Sequence, residues 1–218
     1  MLTDRSFATL TRFRDAVLPR RWRERLMTPH ALLVGFLLVH LGFLLFALIV
    51  SLQGNAFSDT NIYRAWAEAG FDERNIPSGP SPWVYPGLAQ VPMWLAGLAG
   101  PGPFFFLWVL VISVLNAVAM AKLTDRGRNR EALVAGWWWL GFILLMGWLG
   151  FARMDGFTAP IVLIGLVYGV AHPFVASLLL SLATWVKVWP AAVVLALLSA
   201  ARRRGAVLLA GVLATLVA

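Results

Sequence analysis

The sequence contains no cysteine, which excludes disulfides, thiolate metal sites and cysteine nucleophiles and leaves the redox compartment open. Charge is scarce as well: Asp, Glu, Lys and Arg make up 13% of the 218 residues, against about 25% in soluble domains. That leaves too little polar surface to keep a soluble globule dispersed, so a cytosolic enzyme is excluded. Acidic residues are fewest, 10 against 18 basic ones, and among the basic ones only Lys122 and Lys187 are lysine. Histidine occurs only as His30, His40 and His172. No His-rich metal spacing, phosphate-cradling glycine loop or nucleophile elbow is present.

Apolar residues supply 60% of the chain and fall in long runs. Residues 31–52, 104–123 and 132–151 are each about 20 residues long, enough to cross a hydrocarbon core of ~30 Å at 1.5 Å per residue. The first follows arginines and resembles a secretion signal, but it is longer than a signal's apolar region and reads as a retained signal anchor. Shorter runs occupy 87–99, 157–171 and 174–200, and a last one from 206 stops at Ala218 in mid-span, so the chain reads as incomplete.

The basic residues orient these runs. Residues 1–30 carry seven arginines against Asp4, Asp15 and Glu24. Arg126, Arg128 and Arg130 lie between two spans, and Arg202–Arg204 form a third cluster. Clusters that flank apolar spans suit the anionic inner leaflet, and no nucleic-acid-binding motif accompanies them; membrane lipids are the expected partner and nucleic acid is not. The positive-inside rule makes 1–30 a cytoplasmic basic tail and 53–103 an outer loop. Residues 104–123 then cross inward and 87–99 lie on the outer surface. Residues 132–151 return outward, Arg153-Met154-Asp155 forms an outer turn, and 157–171 descend. Residues 174–200 must start and end inside, which requires two half-helices. Pro190 places their break at Lys187–Pro190, because it removes a donor and clashes with the carbonyl of Val186. The expected fold is all-α: one transmembrane domain over 31–218, a polytopic helical bundle with two outer juxtamembrane helices and a broken helical hairpin.

Chemistry-bearing side chains gather on the outer side. In the first outer loop Ile62, Tyr63, Trp66 and Ala67 form an apolar stripe, Arg64 and Glu68 pair at i,i+4, and Gly70 ends the short helix. Asp59 begins that helix and has two readings, an N-cap or a carboxylate held at the lipid–water boundary for acid–base work. Trp83-Val84-Tyr85-Pro86 is a rigid aromatic loop, fit for interfacial anchoring or for ligand contact. Lys187, between two apolar half-helices, needs an anionic partner or a water path, unless it snorkels to the headgroups. Arg153 and Asp155 can pair with each other or serve a ligand. His40 and Asn116 in mid-span, and Trp137-Trp138-Trp139, read as packing and belt residues.

Taken in order, Ser58-Asp59-Thr60-Asn61-Ile62-Tyr63-Arg64-Ala65-Trp66 after the first span, Tyr85-Pro86 before an apolar half-helix, Arg153-Met154-Asp155-Gly156-Phe157, and Trp185-Val186-Lys187-Val188-Trp189-Pro190 with Arg202–Arg204 resemble the bacterial GT-C polyprenyl-phosphate-mannose-dependent α-mannosyltransferases. The resemblance runs from about residue 31 to 205 and covers the N-terminal half of such enzymes, departing from their pattern at Gly87 and Thr158. It implies a GT-C-like fold in the bacterial plasma membrane with its active site on the outer face. The implied reaction moves a sugar, mannose in that family, from a polyprenyl-phosphate co-substrate to a lipid or glycan acceptor, with no metal or other cofactor. Asp59 is the implied general base. Arg64, Tyr85, Arg153, Asp155 and Lys187 are the implied substrate-binding residues, with Lys187 and Arg153 meeting the phosphate and Asp155 orienting Arg153. Lys187 and Asp59 should then face one cavity.

The rival readings are a transporter or channel fragment and a non-catalytic membrane partner. A transporter should carry a polar path across several spans, whereas here the spans hold little beyond His40, Ser113 and Asn116. The charge pattern is tested on this cysteine-free background by single-cysteine labelling: Arg128→Cys should stay unlabelled by an impermeant maleimide in intact cells and react after permeabilisation, and labelling in intact cells would overturn the orientation.

Overall fold

The computed structural model describes residues 20–70, 81–169 and 171–218. Most of the basic tail and the loop residues Asp72, Glu73 and Arg74 lie outside the described residues. Within them the chain forms helices joined by turns. A short α1 (Arg20–Leu26) leads to α2 (Pro29–Leu52), then α3 (Thr60–Ala69). A 3-10 turn (Gly87–Ala89) runs into α4 (Gln90–Gly97), followed by α5 (Phe104–Leu123) and α6 (Ala132–Ala152). The rest is α7 (Asp155–Tyr168), α8 (Pro173–Val186), α9 (Pro190–Ala200) and α10 (Arg204–Val217).

Local chemistry starts and stops these helices. Thr28 caps α2, its hydroxyl accepting the Ala31 amide at 3.2 Å, and Pro29 takes the first helical position, where no amide donor is needed. Pro190 likewise opens α9, and between α8 and α9 Lys187 is extended. α6 is interrupted at Gly147, whose backbone (φ 51°, ψ −134°) kinks the helix; the apolar run around it does not announce this kink.

Three helices, α2, α5 and α6, are long and apolar enough to cross a membrane, which marks the chain as a membrane protein. Their apolarity points outward as much as inward. On α2 only Leu32, Phe36, His40, Phe43, Ala47 and Ser51 are buried, one stripe at three- and four-residue spacing. Leu38, Leu41 and Leu45 on its other sides are exposed, a surface for lipid. The 14 residues of α7 rise only about 21 Å, less than a hydrocarbon core, so the expected descent through 157–171 is a short helix that starts at Asp155.

α5 is the central element, packed against α2, α4, α6 and α7. Its Trp108 is fully buried and donates from Nε1 to the carbonyl of Phe151 at 2.8 Å. The same indole stacks on Tyr63 of α3 at 4.9 Å between ring centres and meets Phe157 of α7 edge-on at 4.6 Å. One side chain thus joins the outer helix α3, the end of α6 and the start of α7. A second cluster, around Leu180, packs α8 against α7, α9 and α10, with the Ser177 hydroxyl donating to the Val207 carbonyl at 2.8 Å.

The mid-span polar residues close on their own neighbourhoods. His40 Nδ1 lies 2.9 Å from the Phe36 carbonyl and its ring stacks on Phe36. Ser113 donates to Val109, and Asn116 donates to Ile112 while accepting the Trp139 indole at 3.0 Å. Trp137 reaches the Leu26 carbonyl at 2.9 Å, tying α6 to the end of α1. Trp108→Phe keeps most of the stacked area but strands the buried Phe151 carbonyl, so it should lower unfolding stability by about 1–3 kcal/mol. Trp94→Phe, on an exposed indole, should change it little; denaturant or thermal unfolding in detergent compares the two.

Candidate functional site

At the start of α3 the Thr60 and Asn61 amides bond the backbone carbonyls of Phe57 and Ser58 and leave no capping work for Asp59. Ser58 takes a left-handed backbone (φ 55°), uncommon for a residue with a side chain, and turns the chain into the helix. The Thr60 hydroxyl accepts the Phe57 amide at 2.9 Å and donates to the Phe57 carbonyl, and the Asn61 amide reaches the Ala56 carbonyl at 3.1 Å. Asp59 stands at the helix start without a side-chain capping bond, so the N-cap reading of its carboxylate is corrected. Instead Asp59 Oδ2 faces Arg153 Nε at 3.4 Å, across 94 positions of sequence.

Arg153 stands in the turn that joins α6 to α7. Its backbone is extended (φ −121°, ψ 159°), Met154 next to it is fully buried, and Asp155 opens α7. Burying Met154 fixes the turn and leaves the two charged side chains on either side of it half-exposed. Gly156 lets the turn sit close: a Cβ there would lie 2.4 Å from the Gly150 carbonyl oxygen and 2.6 Å from Ile112 Cδ1. Arg153 and Asp155 do not pair with each other, and Asp155 does not orient Arg153. Asp155 Oδ2 takes the Lys187 ammonium, and Oδ1 accepts the Trp189 indole N–H at 3.0 Å.

The break between α8 and α9 therefore has a partner. Lys187 is 31% exposed and bonded inward to a carboxylate, so it does not snorkel. Trp189, named from the sequence only as part of the motif around Lys187, supplies the second contact to the same carboxylate. The turn 153–155 brings together three of the predicted residues directly, Asp59, Arg153 and Asp155, and Lys187 through Asp155. Arg64 is placed differently: it donates to the Gly54 carbonyl at 2.9 Å and pairs with Glu68 at 3.6 Å.

Tyr85 joins the site from the aromatic loop through Tyr63, their hydroxyls 2.9 Å apart. Burial pushes the Tyr63 phenol well above its ordinary range, and its hydrogen bond to Tyr85 and the nearby Asp59 charge raise it further, while a backbone hydrogen bond from Met154 opposes them. Tyr63 thus remains a neutral hydroxyl between Tyr85 and the turn. Sequence periodicity assigns it to an apolar stripe and gives no sign of this polar contact.

Beside the turn a cavity of about 270 Å³ opens between α5, α6 and α7, walled by apolar side chains such as Ile112, Ile143 and Pro160, with Asp155 its one charged lining residue and Trp189 next to it. α6 runs from the basic loop to Arg153, so the site and the arginines of 124–131 stand at opposite ends of this helix. Among the described residues no group of three or more His, Asp or Glu side chains is placed to hold a metal ion. Comparison with protein-family models, characterised proteins and solved structures finds no match to this chain.

The Lys187–Asp155 pair is two-thirds buried and shares its carboxylate with Trp189, so it should be worth more than an open surface pair. A double-mutant cycle of Lys187→Met and Asp155→Asn, read by unfolding in detergent, should give a coupling of about 1–2 kcal/mol. A coupling near zero would show the pair to be incidental.

Proposed function

We propose that this chain carries the donor and base end of a GT-C-like membrane glycosyltransferase in the bacterial plasma membrane. It moves a sugar, mannose in the family it resembles, from a polyprenyl phosphate to a lipid or glycan acceptor on the outer face. The observation that supports this best is the convergence of a carboxylate from the first outer loop, Asp59, with the cations Arg153 and Lys187 at one turn. That turn borders an apolar cleft and lies at the end of α6 remote from the basic loop.

In this reading the cleft takes the first isoprene units and the turn takes the phosphate. The Lys187 ammonium has three donors, of which Asp155 engages one, and the Arg153 guanidinium has four N–H donors besides the Nε that faces Asp59. Both cations therefore have capacity left for phosphate oxygens. Trp189 holds Asp155 from its other oxygen, so the carboxylate positions Lys187 and does not wander onto the phosphate.

The acceptor hydroxyl gives its proton to Asp59 while its oxygen forms a bond to the anomeric carbon. The bond from that carbon to the phosphate oxygen breaks, its electron pair stays on the phosphate, and a phosphate monoester leaves with one more negative charge than it brought. Fixed cations at Arg153 and Lys187 stabilise that developing charge more than the ground state. A single displacement inverts the anomeric carbon, so a β-linked donor gives an α-linked product. The aromatic pair Tyr63 and Tyr85 flanks the acceptor side.

Asp59→Asn keeps the size of the side chain and removes the base. In membranes holding the protein and a radiolabelled polyprenyl-phosphate sugar, transfer should fall by a factor on the order of 100 to 10,000 while donor binding stays close to wild type. Near-normal turnover would leave Asp59 as a structural partner of Arg153.

A further inference from the structure

A second cavity, of about 510 Å³, lies at the other end of α5 and α6. It is formed by the first turns of α2, the last turns of α5 and the basic loop between α5 and α6. Leu32, Phe36 and Met120 form a buried apolar floor, and Ala117 and Ala121, one turn apart on α5, leave the groove open by having no bulk. Leu37, at 45% exposure, stands on its rim. From Pro29 to Leu37 the groove follows α2 for about 12 Å, most of one leaflet's hydrocarbon depth of roughly 15 Å.

At the loop end of this groove stands Arg126. Its backbone is held in the left-handed region (φ 53°) between Asp125 (φ 47°) and Gly127 (φ 80°). Such a run is unfavourable for residues with side chains and persists only where the surroundings impose it. Here the Arg126 amide bonds the Ala121 carbonyl at 2.7 Å, the Gly127 amide bonds the Thr124 carbonyl at 3.0 Å, and Gly127 presses on Pro29, whose Cβ lies 2.7 Å from where a Cβ of residue 127 would be. The turn thus fixes an arginine at the mouth of the groove. The Arg126 side chain is exposed and, among the described residues, has no hydrogen-bond or ion-pair partner. Arg128 and Arg130 add positive charge on the same loop, partly offset by Asp125 and Glu131.

We infer that this groove is a binding site for one anionic phospholipid, with an acyl chain between α2 and α5 and the phosphate on Arg126. An apolar groove of this volume in a bilayer is filled by chains, because leaving it empty forfeits the contacts of every side chain that lines it. The charge at its mouth selects the headgroup: a guanidinium offers paired donors that match a phosphate, and an anionic headgroup relieves the positive loop where a zwitterionic one does not. The site lies at the end of α6 opposite the Arg153 turn and does not depend on the glycosyltransferase reading.

The test is lipid retention by the full chain purified in detergent, equilibrated with equal amounts of dioleoyl phosphatidylglycerol and dioleoyl phosphatidylcholine and read by native mass spectrometry. The wild-type protein should retain one phosphatidylglycerol in preference to phosphatidylcholine. Arg126→Gln should lower phosphatidylglycerol retention about tenfold, the loss expected for one charged hydrogen bond, and remove most of the preference over phosphatidylcholine. Ala117→Phe should fill the groove and remove retention of both, with Ala121→Phe as the second variant if the first loses its helical circular dichroism. Equal retention of the two lipids by the wild type, or phosphatidylglycerol retention unmoved by any of these variants, would overturn the inference. So would displacement of the lipid by about 10 mM inorganic phosphate, which would reduce the site to a phosphate contact. A wild-type protein that retains no phospholipid would also overturn it.

Discussion

Everything at the Arg153 turn depends on how the indole of Trp108 is satisfied. A buried indole needs an acceptor for its N–H, and inside a bilayer protein water does not supply one. Trp108 finds it in the Phe151 carbonyl, at the end of α6, where a helix leaves carbonyls without partners of their own. That bond sets the end of α6 against α5, and the stacked faces of Tyr63 and Phe157 then fix α3 and α7 to the same ring. Asp59 stands one turn before Tyr63, and Asp155 two residues before Phe157. The positions of both carboxylates are consequences of one aromatic contact in the layer beneath them.

The charges above that layer are arranged so that none is left alone. In a region of low dielectric an unpaired ion is costly, and each charge here finds an opposite on a different element: Asp59 on Arg153, Lys187 on Asp155. Partial exposure keeps the pairs open to exchange. A fully buried pair would hold too tightly to admit a third charged group, whereas these are between about one-third and one-half exposed, and each cation keeps donors to spare. The turn is therefore held together by paired charges and still leaves donors at its surface. Trp189 supports this by fixing the second oxygen of Asp155.

The bundle also shows how two ends of one membrane protein take on different character. At the Arg153 end the chain spends aromatic residues, in a continuous set of ring contacts from Trp83 and Tyr85 through Tyr63 and Trp108 to Phe157. At the basic-loop end it uses small residues and arginines, with open space between α2 and α5. Rings fill volume and hold position, and small residues leave volume for something else.

Much of the architecture is legible in residue order alone, because it follows from local physics. Apolar runs of about 20 residues mark α2, α5 and α6, Pro190 marks the break after Lys187, and the i,i+4 spacing of Arg64 and Glu68 produces the pair that forms. Each is decided within a turn or two of helix, by hydration, by a missing amide or by the pitch of 3.6 residues. The partners of the site residues are another matter. Asp59 meets Arg153 across 94 positions and Lys187 meets Asp155 across 32, and sequence reasoning, which sees Arg153 and Asp155 as neighbours, offers only a mutual pair or a ligand role for them. Only the packing of α3 and α7 around Trp108, and of α8 against α7, turns those two side chains to different partners. The kink at Gly147 and the release of Asp59 from capping belong to the same class, the second because the Phe57 and Ser58 carbonyls take the first amides of α3. Helices in a bilayer are equally apolar on their lipid and protein sides, so hydrophobic pattern identifies the spans but does not say which faces meet. Shape, small residues and the few available hydrogen bonds decide that, and these become specific only when the tertiary structure sets them side by side.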